Sequence, residues 1–254
     1  MSDAVLTETE GAVLVITINR PEAKNAVNAA VAEGIAAAID EFEGRKDLSV
    51  AVLTGAGGTF CSGMDLKGFL KGEAPWAAGR GFGGIVEKPP VKPIIAAVEG
   101  YALAGGCEIA LSCDMIVASR EAKFGLPEPK RGLVAAAGGL MRLPRRIPYH
   151  IAMEIALTGD FYGAERMAEL GFVNRLTEPG GALAAAKELA LKIGENAPLA
   201  LAATKRIIVE SPYWSAEEMW QRQNEISGPV FASKDAQEGP KAFAEKRKPQ
   251  WTGE

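Results

Sequence analysis

Two carboxylates stand in apolar stretches of the sequence, where they are candidates for proton transfer. Glu108 is followed by Ile109, Ala110 and Leu111, and Glu128 follows Gly125-Leu126-Pro127 at the end of a short apolar run. An unpartnered buried carboxylate is costly, and burial raises its pKa toward the range where it exchanges protons near neutrality. Such a pair suits general acid–base catalysis. The plainer reading, that each is solvated or salt-bridged, stays open from these residues alone. Two glycine-rich stretches add a second element. Phe60-Cys61-Ser62-Gly63-Met64-Asp65 and Leu103-Ala104-Gly105-Gly106-Cys107-Glu108 read as turns from strand into helix, where backbone N–H groups point outward. If the turns converge they form an oxyanion hole, in which one donor is typically worth about 3 kcal/mol of barrier. Convergence is a property of the fold and is not written in the spacing.

The remaining composition narrows the chemistry. His150 is the single histidine, whereas zinc sites and most serine or cysteine hydrolases need one or more. It sits after Pro148 and Tyr149 at a helix start and is read as non-catalytic. Cys61, Cys107 and Cys113 form neither a C-x-x-C pair nor an even framework, so buried thiols in a reducing compartment are expected, with no metal and no cofactor. Gly55–Gly63 (GAGGTFCSG) lacks the G-K-[ST] of a phosphate loop, and Gly79–Gly84 (GRGFGG) follows no strand and is read as a mobile surface loop.

The 254 residues carry 28 basic and 32 acidic side chains, a net charge of −4, which argues against a nucleic-acid or anionic-membrane partner. Met1 to Glu10 holds no apolar leader core, and no later stretch reaches the ~18 apolar residues of a span. The expected location is cytoplasmic.

These residues need a scaffold. Ala12–Asn19 reads as a strand broken by Arg20-Pro21, Asn28 caps a helix over Ala29–Phe42, and Val50–Thr54 is again β-branched, a β-α-β start. Ile94–Val98 reads as a buried strand, Gly100–Gly106 as a turn, Cys107–Cys113 as a short helix, and Met115–Ala118 and Ala122–Phe124 as short strands. Past residue 138 the pattern turns helical, over Ala164–Leu170, Ala182–Asn196, Pro198–Glu210, Ser215–Phe231 and Asp235–Arg247, with a strand near Val173–Leu176. The alanine-rich stretch from Ala182 is read as scaffold. An α/β half thus precedes a helical one.

In order along the chain stand Arg20-Pro21 with Asn25-Ala26, FCSGMDL at 60–66, AAVEGYALAGGCEIALSCD at 96–114, FGLPE at 124–128, GG-x-x-RL at 138–143 and EGPKAFAEKRKPQW at 238–251. Together they resemble the enoyl-CoA hydratase/isomerase (crotonase) family over nearly the whole chain, and its carnitinyl-CoA dehydratase-like branch most closely. The resemblance implies an α/β fold, a spiral of ββα units over 1–196, followed by a helical oligomerisation region over 197–254 that builds a homotrimer or homohexamer.

It also implies an acyl-CoA substrate drawn from fatty acid and other lipid metabolism, CoA being part of the substrate. By position, the N–H groups of Met64 and Gly105 would hold the thioester oxygen, Glu108 would activate water, and Glu128 would supply the C2 proton. Lys24, Asp65, Leu66 and Lys67 match the CoA groove, and Phe243 and Lys246 match residues that reach the CoA of a neighbouring subunit. The expected activity is enoyl-CoA hydration; the alternatives are Δ3,Δ2-enoyl-CoA isomerisation and a non-catalytic CoA-ester-binding scaffold. One stretch departs from the family pattern: Leu133–Met141 reads LVAAAGGLM, so Ala135, Leu140 and Met141 are expected to make the acyl-facing wall more apolar.

Overall fold

The computed structural model describes residues 4–254; Met1, Ser2 and Asp3, part of the N-terminal stretch read above, lie outside the described residues. Its centre is a six-stranded sheet, in spatial order Val5–Glu10, Val13–Ile18, Val50–Gly55, Ile94–Val98, Met115–Ser119 and Arg175–Thr177. The first pair is antiparallel and every later pair parallel. Alternation along these strands sorts the side chains by face. Leu14, Ile16, Leu53, Ala96 and Val98 join one buried cluster with Ile35, Ile39 and Phe42 of the helix Ala29–Gly44. Val13, Val15, Val50, Val52, Ile95 and Val117 join the other, against Ala182, Ala186 and Ala190 of the helix Ala182–Gly194. The alanine stripe at every fourth residue explains that helix: small side chains let its backbone lie close on the sheet.

A repeated turn of spiral positions the site. Three of the sheet strands are each followed by a short second strand or bridge and then by a helical turn. After Val50–Gly55 comes Cys61 and the short helix Leu66–Phe69; after Ile94–Val98 come Tyr101–Leu103 and the helix Gly105–Ser112; after Met115–Ser119 come Lys123–Gly125 and the single turn Glu128–Arg131. The second strands stack in parallel, with Cys61 bridged to Ala102 and Tyr101 paired with Lys123. Met64, Gly105 and Glu128 each stand two or three residues beyond this stack. The fold is a crotonase-like α/β spiral.

Two expectations are corrected. Gly79–Gly84 is not a surface loop: Gly81–Phe82 pairs with Trp76–Ala77, Arg80 to Gly84 are buried, and Arg80 bonds Asp40 at 2.5 Å and Glu43 at 2.9 Å on the first long helix. Its glycines permit close approach, since a Cβ at Gly84 would collide with the Ala32 carbonyl. The turn expected over Gly100–Gly106 holds the strand Tyr101–Leu103, and its helix begins at Gly105. The strand Val5–Glu10 escapes the apolar pattern because it is an edge strand with only Val5 buried.

The chain ends in the helices Pro198–Glu210, Met219–Phe231 and Lys234–Ala244. The first two bury no residue within the chain, and Ile208, Trp220, Phe231 and Phe243 are exposed. No described helix is long and apolar enough to cross a membrane.

Candidate active site

The two glycine-rich turns converge. Val27 donates its N–H to the Gly63 carbonyl at 2.8 Å and accepts from the Asp65 N–H at 2.8 Å, a parallel bridge that uses the residues on either side of Met64. Met64 itself therefore turns its N–H away from Val27, and the residue lines the cavity. Gly105 opens the helix Gly105–Ser112, so its N–H has no acceptor in that helix. Among the described residues no backbone acceptor meets either N–H. A Cβ built on Gly63 would stand 2.8 Å from the Ala104 Cβ and 3.4 Å from the Gly105 nitrogen, and its φ of +105° also favours glycine. Ala104, with φ of 51° and ψ of −128°, is strained by about 1–3 kcal/mol and is pinned by its N–H to the Gly125 carbonyl at 2.9 Å.

Both glutamates face the same cavity of about 490 Å³. Glu108, in the first turn of its helix, is 3% exposed and accepts the Gly139 N–H on Oε1 at 2.9 Å. Burial lifts its pKa above the ordinary carboxylate value, opposed by the N–H groups of Gly139 and Ala137 and by the charge of Arg142. Glu128 is 9% exposed, and its Oε2 is buried with no hydrogen-bond partner among the described residues. Burial pushes it up to about 7, opposed by its own N–H and assisted by the neighbouring charge of Glu108. The carboxylates are thus unequal: Glu108 is held as an acceptor, and Glu128 stays protonated to higher pH.

The rest of the cavity is largely apolar, with Phe69, Trp76, Phe82, Val134 and Phe161 in its wall and Leu66 beside Met64. Phe82 comes from the segment misread as a surface loop. Of the apolar stretch, Leu133, Val134, Ala136 and Ala137 line this cavity, whereas Ala135 and Leu140 face a neighbouring one of about 390 Å³ and Met141 is exposed. The expectation that Ala135, Leu140 and Met141 form the acyl wall is corrected accordingly: a turn centred on Gly138, with φ of +95°, sets which side chains point inward.

The residues matched to CoA binding divide. Leu66 lines the cavity; Lys24, Asp65, Lys67, Phe243 and Lys246 do not. Lys24 is exposed, lies 5.5 Å from the Tyr101 ring centre, and is tied to the cavity rim by the Ser62 N–H on its carbonyl. Asp65 already has partners for both oxygens, Lys67 and Gly68 N–H groups on Oδ1 and Arg20 on Oδ2 at 3.0 Å. It caps a helix. Phe243 is 87% exposed on the last helix, and Lys246 follows that helix with φ of 53°.

Other candidates stand apart from the cavity. The three thiols are free and buried, and burial pushes Cys61 up to about 12 and the other two further. His150 is exposed beside Tyr149. Among the described residues no three His, Cys, Asp or Glu side chains are grouped to hold a metal ion. Sequence reasoning missed Gly139 and Arg142 as partners of Glu108, although the GG-x-x-RL motif holds both.

The family described as enoyl-CoA hydratase/isomerase matches residues 8–254, and the chain belongs to it. Among curated relatives, the carnitinyl-CoA dehydratases of Proteus mirabilis (strain HI4320) and Salmonella arizonae are 41% and 42% identical, each over all of both chains. Among solved structures, an enoyl-CoA hydratase from Mycobacterium tuberculosis H37Rv is 61% identical with a TM-score of 0.98, again over both full chains. A carnitinyl-CoA hydratase from Mycobacterium avium is 40% identical over both full chains, with a TM-score of 0.80.

Proposed function

We propose that the protein is an enoyl-CoA hydratase, adding water reversibly across the 2,3 double bond of an enoyl-CoA thioester. The observation that carries this is the unequal pair in one cavity, Glu108 held by the Gly139 N–H and Glu128 with an unpartnered buried oxygen and a pKa near 7. Ionised Glu108 takes a proton from water as the oxygen attacks C3. Electron density moves to the thioester oxygen, where the Met64 and Gly105 N–H groups hold the enolate, the latter aided by its helix N-terminus. Protonated Glu128 then delivers its proton to C2. The reverse sequence is dehydration. Because preorganised donors stabilise the enolate, this route uses neither metal nor cofactor.

Lys24, Leu66 and Lys67 form the CoA-facing rim in this reading, Asp65 holding the short helix that carries the last two. Phe243 and Lys246 complete the site of a neighbouring subunit in a homotrimer or a pair of trimers, a role supported by the exposed apolar side chains of the terminal helices. A cytoplasmic enzyme of lipid metabolism fits this substrate class.

A panel of enoyl-CoA thioesters tests the reading: short, long, branched, ring-bearing and trimethylammonium-bearing, each followed by loss of absorbance of the conjugated thioester. Hydration of at least one member is expected. Binding without turnover across the panel would favour a scaffold, and double-bond migration without hydration would favour an isomerase.

A further inference from the structure

Arg142 closes the short helix Gly139–Arg142 and is half-buried beneath the catalytic cavity without lining it. Its Nη2 donates to the Val86 carbonyl at 2.5 Å and its Nη1 approaches the Ala137 carbonyl at 3.5 Å. The guanidinium lies so close to Gly138 that a Cβ there would collide with Nη1. Among the described residues it makes no ion pair, a costly state for a desolvated cation, and burial lowers its own pKa. The carboxylate whose charge acts favourably on it is Glu108.

From this arrangement we infer that Arg142 is the positioning residue of the general base: it braces the 137–139 turn that donates to Glu108 and supplies the counter-charge that keeps Glu108 ionised. The inference rests on the hydratase reading. Geometry gives it two parts. The fork ties the turn to the Val86 segment, so the Gly139 N–H is held where Glu108 needs it. Its positive charge offsets the desolvation of a carboxylate that is 3% exposed. The ionisable groups around Glu108 are Glu128 from the third turn of the spiral, Cys107 on its own helix and Arg142; Arg146 acts on Arg142 in turn. Arg142 is the cation that favours the ionised base.

The test compares wild type with Arg142→Gln and Arg142→Lys. Removing the charge raises the Glu108 pKa, so the base is protonated over a wider range. The acidic limb of kcat/KM should move up by about one pH unit in Arg142→Gln. Arg142→Lys keeps the charge and should leave the limb near its wild-type position even where its kcat falls. The Glu108 carboxyl, followed by carbon NMR in the substrate-free protein, should titrate higher in Arg142→Gln alone. An unmoved limb and an unmoved carboxyl titration in folded Arg142→Gln overturn the inference, whatever happens to the rate. If the wild type hydrates no enoyl-CoA, the hydratase reading fails while the carboxyl titration still decides the part played by Arg142.

Discussion

The N–H of Gly139 donates to Glu108 Oε1 at 2.9 Å, whereas Oε2 of Glu128, in the same cavity, meets no partner among the described residues. The difference sets the order of titration. Both pKa values are raised by burial, but that of Glu128 is carried to about 7 while N–H donors and Arg142 restrain Glu108. In the proposed mechanism the form active in hydration has Glu108 ionised and Glu128 protonated. Hydration should therefore fall as pH drops through the Glu108 titration and also as it rises through about 7, giving a bell whose limbs belong to the coupled pair. A kcat/KM profile for hydration flat from pH 5 to 9 would contradict this assignment.

Gly106 does not line the cavity, yet a Cβ there would meet the Cys61 carbonyl. Gly106→Ala must push the Phe60–Asp65 turn away from the helix Gly105–Ser112 and separate the two N–H donors. The expected loss is about 10²-fold in kcat, the usual effect of removing one oxyanion donor. The pH limbs should stay in place. Wild-type kcat in this variant would show that the two turns need not be held at this spacing.

Asn25 accounts for much of the Arg20-Pro21…Asn25-Ala26 motif. Fully buried with φ of 55°, it accepts the Arg20 N–H at 2.9 Å and donates to the carbonyls of Ala56 at 2.8 Å and Thr59 at 2.5 Å. Asn25→Ala strands these groups and places alanine in left-handed backbone, so a loss of about 3 kcal/mol is expected in denaturant unfolding. A change under about 1 kcal/mol would indicate that water replaces the side chain.

In the terminal region, the helices Pro198–Glu210 and Met219–Phe231 bury nothing within the chain, while Phe231 and Phe243 are over four-fifths exposed. The protein should sediment as a multiple of three, and Phe243→Ser should raise the KM for CoA esters more than it lowers kcat. A fully active monomer at nanomolar concentration would rule out a shared CoA site.

Much of this architecture was legible in the residues, for reasons that also explain the gaps. The strands 50–55 and 94–98 and the alanine-striped helix follow from periodicity, because their burial is two-sided or one-sided in the simplest way. The segment 79–84 misled because glycines that admit a neighbouring backbone look the same as glycines in a free loop, and Phe82 went with it. Glu108 and Glu128 were recognisable as anomalies of burial. Their electrostatic difference was not, since it depends on Gly139 and Arg142 arriving from thirty residues away. Convergence of Met64 with Gly105 likewise depends on the stacked second strands, a long-range pairing without a local signature. Asp65 adds a part that its place in a binding motif does not announce: its carboxylate caps the short helix that follows.

The hydration rate of Glu108→Gln on the enoyl-CoA panel, beside wild type, tests the two-glutamate mechanism most directly. The amide is nearly isosteric and leaves the Met64 and Gly105 donors in place. Removing the base should lower kcat by about 10²-fold or more with little change in affinity for the CoA ester. Hydration at wild-type rates across the panel would contradict the mechanism and leave Glu128 as a lone proton shuttle, the isomerase reading.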